Sequence, residues 1–397
     1  MENQGKALKL EEIITNLKNK DVNFFFFTLD TRGNPTAGVA NIYEHVKVLT
    51  ELGYKAHILH EHDDYKLHKD PKDGSMGLVD WLGEEYGELS HVSIQAQKFG
   101  IKPSDFIIIP EIFANVMNQV KDFPCKKIVL SQSPEYLLEL LDIGRRWTVD
   151  YGFNDVITTS QKQADYIKRL FPTIKTHIVP VSIPEYFKPS EKPKIPMISI
   201  LTRNGGDAAK MAKAFYLQYP LYKWVSFKEL RGLSRKRFAE ELGNSALAVW
   251  IDDMAGFGTF PLEAFECDTP VIGKMPNMIP EWMETTDDDG NATIKNNGVW
   301  TNTPHNIPEL VAFFIKLWLE DNVPADLLAG MEDSKGYYTE TAQRDKIETV
   351  YAQLVNNRVE EIEAIMEQQR LAVEANEAAV AATAEAEVDN KTETKED

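Results

Sequence analysis

Residues 21–29, DVNFFFFTL, form a short apolar and aromatic run that ends in a cluster of turn formers, Asp30, Arg32, Gly33, Asn34 and Pro35. A run of this length with no polar alternation reads as a buried strand leaving into a loop. Its four phenylalanines are then core residues rather than a stack for a cofactor. From 38 to 52, Val39, Ile42, Tyr43, Val46, Leu49 and Leu52 recur at spacings of three and four apart from one adjacent pair. That is the stripe of an amphipathic helix, and Gly53 closes it. Residues 54–59 follow as the next strand. Strand, loop, helix, glycine and strand make a βαβ unit, whose parallel strands are covered by helices and bind ligands at their carboxyl ends.

The alternation continues with strands expected at 106–109, 127–130 and 155–158, a helix at 161–170 and a strand at 176–179. Residues 180–196 carry Pro180, Pro184, Pro189, Pro193 and Pro196 and read as a linker. A fresh strand starts at Met197, followed by a helix at 208–219, a strand at 224–227, a helix at 234–242 and a strand at 247–251. Two α/β halves joined by a proline-rich hinge emerge from periodicity alone, and 397 residues with 43% hydrophobic content suffice for two ordinary cores. The expected boundaries are 1–185 and 186–345 for the two Rossmann-like domains and 346–369 for a closing helix, with an acidic low-complexity tail, 370–397, read as frayed helix or disordered chain.

Charge and cysteines narrow the function classes. The formal charge is −19, and residues 357–397, with twelve acidic and four basic side chains, carry −8 of it. An acidic total argues against general affinity for nucleic acid or anionic membrane. One basic run, Lys228, Arg231, Arg235, Lys236 and Arg237, stands out and is either an anion-facing patch or a solvated helix face. No stretch approaches the ~18–20 apolar residues of a membrane span and the N-terminus lacks a signal-peptide pattern, so a soluble, cytoplasmic protein without integral membrane association is expected. Cys125 and Cys267 make neither a disulfide framework nor a zinc set and read as buried thiols. His60-Glu61-His62-Asp63 offers a His-X-His pair but no third ligand at recognisable spacing, so a polar loop is preferred and no metal is expected.

The most informative stretch is 248–273, AVWIDDMAGFGTFPLEAFECDTPVIG. A strand ends at Asp252 and Asp253, Gly256 and Gly258 let the backbone come close to a ligand, and Pro261 suits the first turn of a helix carrying Glu263. Amides and dipole at that helix start suit phosphate oxygens. Glu263, early in the helix, is placed to bond a hydroxyl-bearing ligand. Strand ends in the first half nominate Glu111 and, after 127–130, Gln132, Ser133 and Glu135 as residues facing a bound ligand, with helix capping and solvation as the alternative.

The same stretch resembles the signature of the family-4 retaining glycosyltransferases, Glu-Gly-Phe-Gly and a second Glu followed by a Thr-Pro-Val-Ile strand. Here it stands as Ala255-Gly256-Phe257-Gly258, Glu263 and Thr269-Pro270-Val271-Ile272, and Asn277-Met278-Ile279-Pro280-Glu281 resembles the family's Gly-Gly-Ile-Pro-Glu. Residues 157–160, 177–180 and 187–189 look like its interdomain passage, residues 198–210 resemble its Gly-Arg-Leu…Lys segment, and Gly38 corresponds to a Gly-rich turn at the first helix. The resemblance implies a GT-B fold, two facing Rossmann-like domains with a cleft between them, plus the C-terminal helix and acidic tail. It further implies transfer from a nucleotide sugar, a UDP- or GDP-sugar, to a hydroxyl acceptor with retention and no required cofactor.

By the same resemblance, Arg203 and Lys210 neutralise the donor diphosphate, with Lys213 as an alternative to Lys210. Gly38, Gly256, Phe257, Gly258 and Thr259 shape the donor site, Glu263 bonds the ribose, and Asp252 or, in preference, Asp253 stands in from the strand end for the first family Glu, which is Ala255 here. The acceptor is a glycan, a small molecule, a protein or, as in bacteriophage DNA modification, a hydroxylated base. A catalytically silent sugar-nucleotide-binding protein is the remaining alternative, suggested by Ala255. A dinucleotide-dependent dehydrogenase is set aside because the loop after Phe27 reads TLDTRGNPTAG and contains no G-X-G-X-X-G.

Overall fold

The computed structural model describes residues 2–31, 36–97, 99–252 and 254–393. The chain forms two units, 23–350 and the terminal segments 1–22 with 351–397. In the first unit, β1 (Asn23–Phe27), β2 (Lys55–His60), β3 (Ser90–Ser93), β4 (Phe106–Pro110), β5 (Lys126–Ser131), β6 (Asp155–Thr158) and β7 (Lys175–Ile178) make one sheet in the order β3-β2-β1-β4-β5-β6-β7, every pairing parallel. All four phenylalanines of β1 are buried, and Phe24 stacks on Phe106 of β4 at 4.6 Å. Phe25 and Phe27 pack with Leu59, Ile107, Ile109 and Val129. A strand buried on both faces can dispense with the polar alternation of a half-exposed one.

The second sheet holds β8 (Ile195–Thr202), β9 (Ser226–Glu229), β10 (Ser245–Ile251), β11 (Val271–Lys274) and, after a separate hairpin of β12 (Glu284–Thr286) and β13 (Ala292–Ile294), β14 (Val299–Thr301). Its order is β14-β11-β10-β8-β9, again with parallel pairing throughout. Ile198, Ile200, Val249, Trp250, Phe260 and Ile272 are among its core residues. Each sheet reverses strand order once, between β1 and β4 in the first and between β8 and β10 in the second. Open α/β sheets bind ligands at such switch points, outside the carboxyl ends of the strands.

The crossing between the sheets is pinned rather than loose. The amide and hydroxyl of Ser182 donate to Gln343 Oε1 at 3.3 and 2.6 Å, and Ile183 N–H donates to the Tyr338 carbonyl at 2.7 Å. β8 starts at Ile195, inside the span 180–196 read as linker. In the terminal unit Lys18 pairs with Glu363 at 3.2 Å. A single helix, Glu340–Glu393, spans the expected closing helix and the described part of the tail expected as frayed or disordered chain. Arg370 pairs there with Glu367 at 2.6 Å and Glu374 at 2.7 Å, the spacing at which helical side chains meet. Among the described residues no helix is long and apolar enough to cross a membrane.

Candidate active-site cleft

A cavity of about 650 Å³ opens at the carboxyl ends of the two sheets and is lined from both. On the first wall, the helix Ala37–Glu51 starts beside β1, its amides capped by Thr36, whose hydroxyl oxygen accepts from Val39 N at 3.3 Å. Gly38 and Gln132 lie together, the Gln132 Nε2 donating to the Gly38 carbonyl at 3.2 Å. Glu111 follows β4, is 3% exposed, and its Oε1 accepts from the amides of Gln132 at 2.9 Å and Ser133 at 2.6 Å. Its Oε2 has no partner among the described residues. Burial pushes the Glu111 carboxyl up to about 7, against the pull of those two amides.

The second wall is the turn after β10 and the helix Thr259–Glu266. Gly258 adopts φ +72°, and a Cβ there would lie 3.0 Å from Trp250, so glycine is required for conformation and for space. No side chain caps the helix it precedes. The Phe257 carbonyl accepts from Trp282 Nε1 at 2.7 Å, which fixes the turn. Glu263 is buried, and its Oε1 accepts from Arg235 Nη1 at 2.9 Å. Arg203, after β8, reaches both oxygens of Asp252, after β10, through Nε at 2.7 Å and Nη2 at 2.8 Å, while its Nη1 donates to the Tyr136 hydroxyl.

The walls touch. A Cβ on Gly256 would lie 2.6 Å from the Gln132 carbonyl and 2.8 Å from Gln163 Nε2. The Ser133 hydroxyl donates to the Met254 carbonyl. On the rim, Glu281 Oε1 accepts from the amide of Lys162, and Lys162 Nζ donates to the Ile279 carbonyl at 3.0 Å.

Of the residues nominated from sequence, Gly38, Glu111, Gln132, Arg203, Gly256, Phe257, Gly258, Thr259 and Glu263 line this cavity together. Glu135 is half-buried on the helix Pro134–Leu140 and is not among its lining residues. Lys210 lines a second cavity of about 570 Å³, with Arg203, Asn204, Lys274 and His305, and pairs with Asp207 at 3.0 Å. Asp253 lies outside the described residues. Tyr136 and Asp252 form the Arg203 network, yet only Asp252 carried a sequence signal, as the residue ending a strand. The basic run divides: Arg231 and Arg235 line the cleft, while Arg237 pairs with Glu240 and Glu241, and Lys228 with Glu241. Both cysteines are buried. His60 shares a hydrogen bond with His91, whereas His62 meets Gln95, so the two histidines turn to different neighbours.

No protein-family model matches the chain. A curated alpha-1,6-glucosyltransferase of Actinobacillus pleuropneumoniae serotype 7 is 24% identical over 270 residues, which is 64% of this chain and 73% of that protein. Among solved structures, the pneumococcal O-GlcNAc transferase GtfA in complex with UDP and GlcNAc aligns with a TM-score of 0.55 at 9% identity, covering 86% of this chain and 99% of that one. Sucrose-phosphate synthase from Thermosynechococcus elongatus aligns with a TM-score of 0.53 at 12% identity, over 85% of this chain and all of that one. The architecture is the GT-B fold, and the chain is a glycosyltransferase.

Proposed function

We propose that this glycosyltransferase moves a sugar from a UDP- or GDP-sugar to a hydroxyl acceptor with retention and without a further cofactor. The observation that carries the reading is a single cleft that joins two switch points, with Arg203, Glu263 and the glycine turn on one wall and Glu111 and Gln132 on the other. Uncapped amides at the start of the helix Thr259–Glu266 suit phosphate oxygens. Arg203 meets charge that grows on the departing diphosphate, whereas Lys210, nominated beside it from the sequence, lines the second cavity and pairs with Asp207. Glu263 bonds the ribose hydroxyls, its carboxylate steadied by Arg235. The acceptor hydroxyl, bonded by Glu111 and Gln132, attacks the anomeric carbon as its bond to the phosphate oxygen breaks. Its proton passes to that phosphate oxygen on the same face, so the configuration is kept.

The UDP and GlcNAc held by GtfA, and the glucosyl transfer named for the Actinobacillus protein, make UDP-glucose and UDP-GlcNAc the first donors to try. A carbohydrate acceptor fits this reading better than DNA, because Lys228 and Arg237 of the basic run are neutralised by Glu240 and Glu241 instead of facing outward unpaired. Silent binding stays as the second reading because Ala255 itself lines the cleft. The test is release of UDP from each donor, with the anomer of the sugar product read by proton NMR. An α-product from an α-donor is expected. A β-product would end the claim of retention, and donor binding with no UDP release, with or without glycan acceptors, would favour the silent reading.

A further inference from the structure

Three guanidinium groups line the cleft wall on the side of the second sheet, those of Arg203, Arg231 and Arg235. Which of them can meet a phosphate depends on what each already holds. Arg203 has every nitrogen engaged, two by the carboxylate of Asp252 and one by the hydroxyl of Tyr136. Arg235 is tied to Glu263 at 2.9 Å, bonds Tyr186, and lies over the Phe187 ring at 5.0 Å, which fits it to hold Glu263 in place.

Arg231 differs from both. Its Nη2 donates to the carbonyl oxygens of Thr202 at 2.9 Å and Arg203 at 3.4 Å, and its Nε donates to Glu229 at 2.9 Å. These bonds clamp the guanidinium against the turn that carries Arg203, at the carboxyl end of β8. Its Nη1 has no partner among the described residues, and the side chain remains 47% exposed. A guanidinium anchored on one edge and open on another offers a fixed donor at little reorganisation cost. Lys210 offers the reverse, since its side chain is 79% exposed, bonded to Asp207, and faces the second cavity.

We propose that Arg231, in the role otherwise given to Lys210, is the second cation of the donor site and binds the diphosphate alongside Arg203. This rests on the nucleotide-sugar reading above. On donor binding, Arg231 supplies Nη1 while keeping its carbonyl anchors, whereas Arg203 must exchange an oxygen of Asp252 or Tyr136 for one of phosphate. Neither exchange breaks a covalent bond.

Affinity for UDP and for uridine, measured on the full chain by competition in ligand-observed NMR and by calorimetry for UDP, tests the assignment. Arg231→Ala is expected to weaken UDP at least tenfold and to leave uridine within about threefold, because only UDP carries the phosphates. Arg231→Lys should recover part of the loss, and Lys210→Ala should stay within about threefold of the parent for UDP. An equal loss for UDP and uridine in Arg231→Ala would overturn the proposal, as it would mean that the residue only shapes the cleft. So would a loss of UDP binding in Lys210→Ala that Arg231→Ala does not share. A parent chain that binds neither UDP nor GDP would instead bring down the donor reading and this inference with it.

Discussion

Glu111 sets a pH dependence of its own. Its carboxyl ionises near 4.5 in an unfolded chain and near 7 in the folded one, because burial outweighs the two amides that bond it. As pH rises from about 4.5 the unfolded chain releases its proton first, so the stability that Glu111 contributes is full below that pH, is lost up to about 7 and stays flat above. At about 1.4 kcal/mol per pKa unit the loss is on the order of 3 kcal/mol. Glu111→Gln keeps an oxygen for the two amides and removes the titration. Urea unfolding at pH 5 and pH 8 should show the variant gaining stability over the parent at the higher pH, and an unchanged difference would contradict the linkage. Gly256 makes a steric prediction, since a methyl group there would meet the Gln132 carbonyl at 2.6 Å. Gly256→Ala should cut turnover at least tenfold by separating the walls, and a variant as active as the parent would show that the walls part freely.

At the scale of elements, the buried triad across β5, β6 and β7 carries stability rather than chemistry. Asp155 bonds Lys126 at 2.7 Å and His177 at 3.0 Å, and although burial alone would raise its carboxyl, His177 and Lys126 hold it below the usual range. Asp155→Asn removes the carboxylate charge that Lys126 and His177 share and should cost about 3 kcal/mol in chemical denaturation with little change in the affinity for UDP. A loss under 1 kcal/mol would show that the site is better solvated than its burial implies. How much of this was legible in sequence differs from element to element. β1 could be read from four consecutive phenylalanines, and the helix Ala37–Glu51 from its stripe. β3, with the sequence SHVS, has no apolar run to announce it, and it exists because β2 offers it an edge. The hairpin β12–β13 is almost wholly exposed and likewise leaves no hydrophobic pattern. For the site, strand ends and glycines pointed to Glu111, Gln132, Gly256 and Glu263, and the family resemblance to Arg203. The division of the basic run between cleft and surface was not legible, since helical spacing fixes which residues share a face but not what packs against it. Lys210 lies on the helix Asp207–Gln218, where only tertiary packing decides which cavity it lines.

In the molecule as a whole, two sheets meet at their switch points in one cleft, and hydrogen bonds run from the crossing into it. Gln343 bonds Ser182 at the crossing and donates to Asn41 at 2.8 Å, Asn41 donates to Gln132 at 3.0 Å, and Gln132 holds the Gly38 carbonyl. Gln343→Ala should therefore loosen both crossing and cleft, seen as a lower melting temperature together with a raised KM for the donor. A change in melting temperature alone would confine Gln343 to a structural role. Whether this cleft holds a nucleotide sugar is decided by thermal-shift titration with UDP-, GDP-, ADP- and CMP-sugars, because a ligand of the native state raises apparent stability once its concentration exceeds its dissociation constant. Stabilisation by a UDP- or GDP-sugar that is lost in Arg203→Ala and in Glu263→Ala is the predicted result. Stabilisation by none of the four, or one that survives both substitutions, would contradict it.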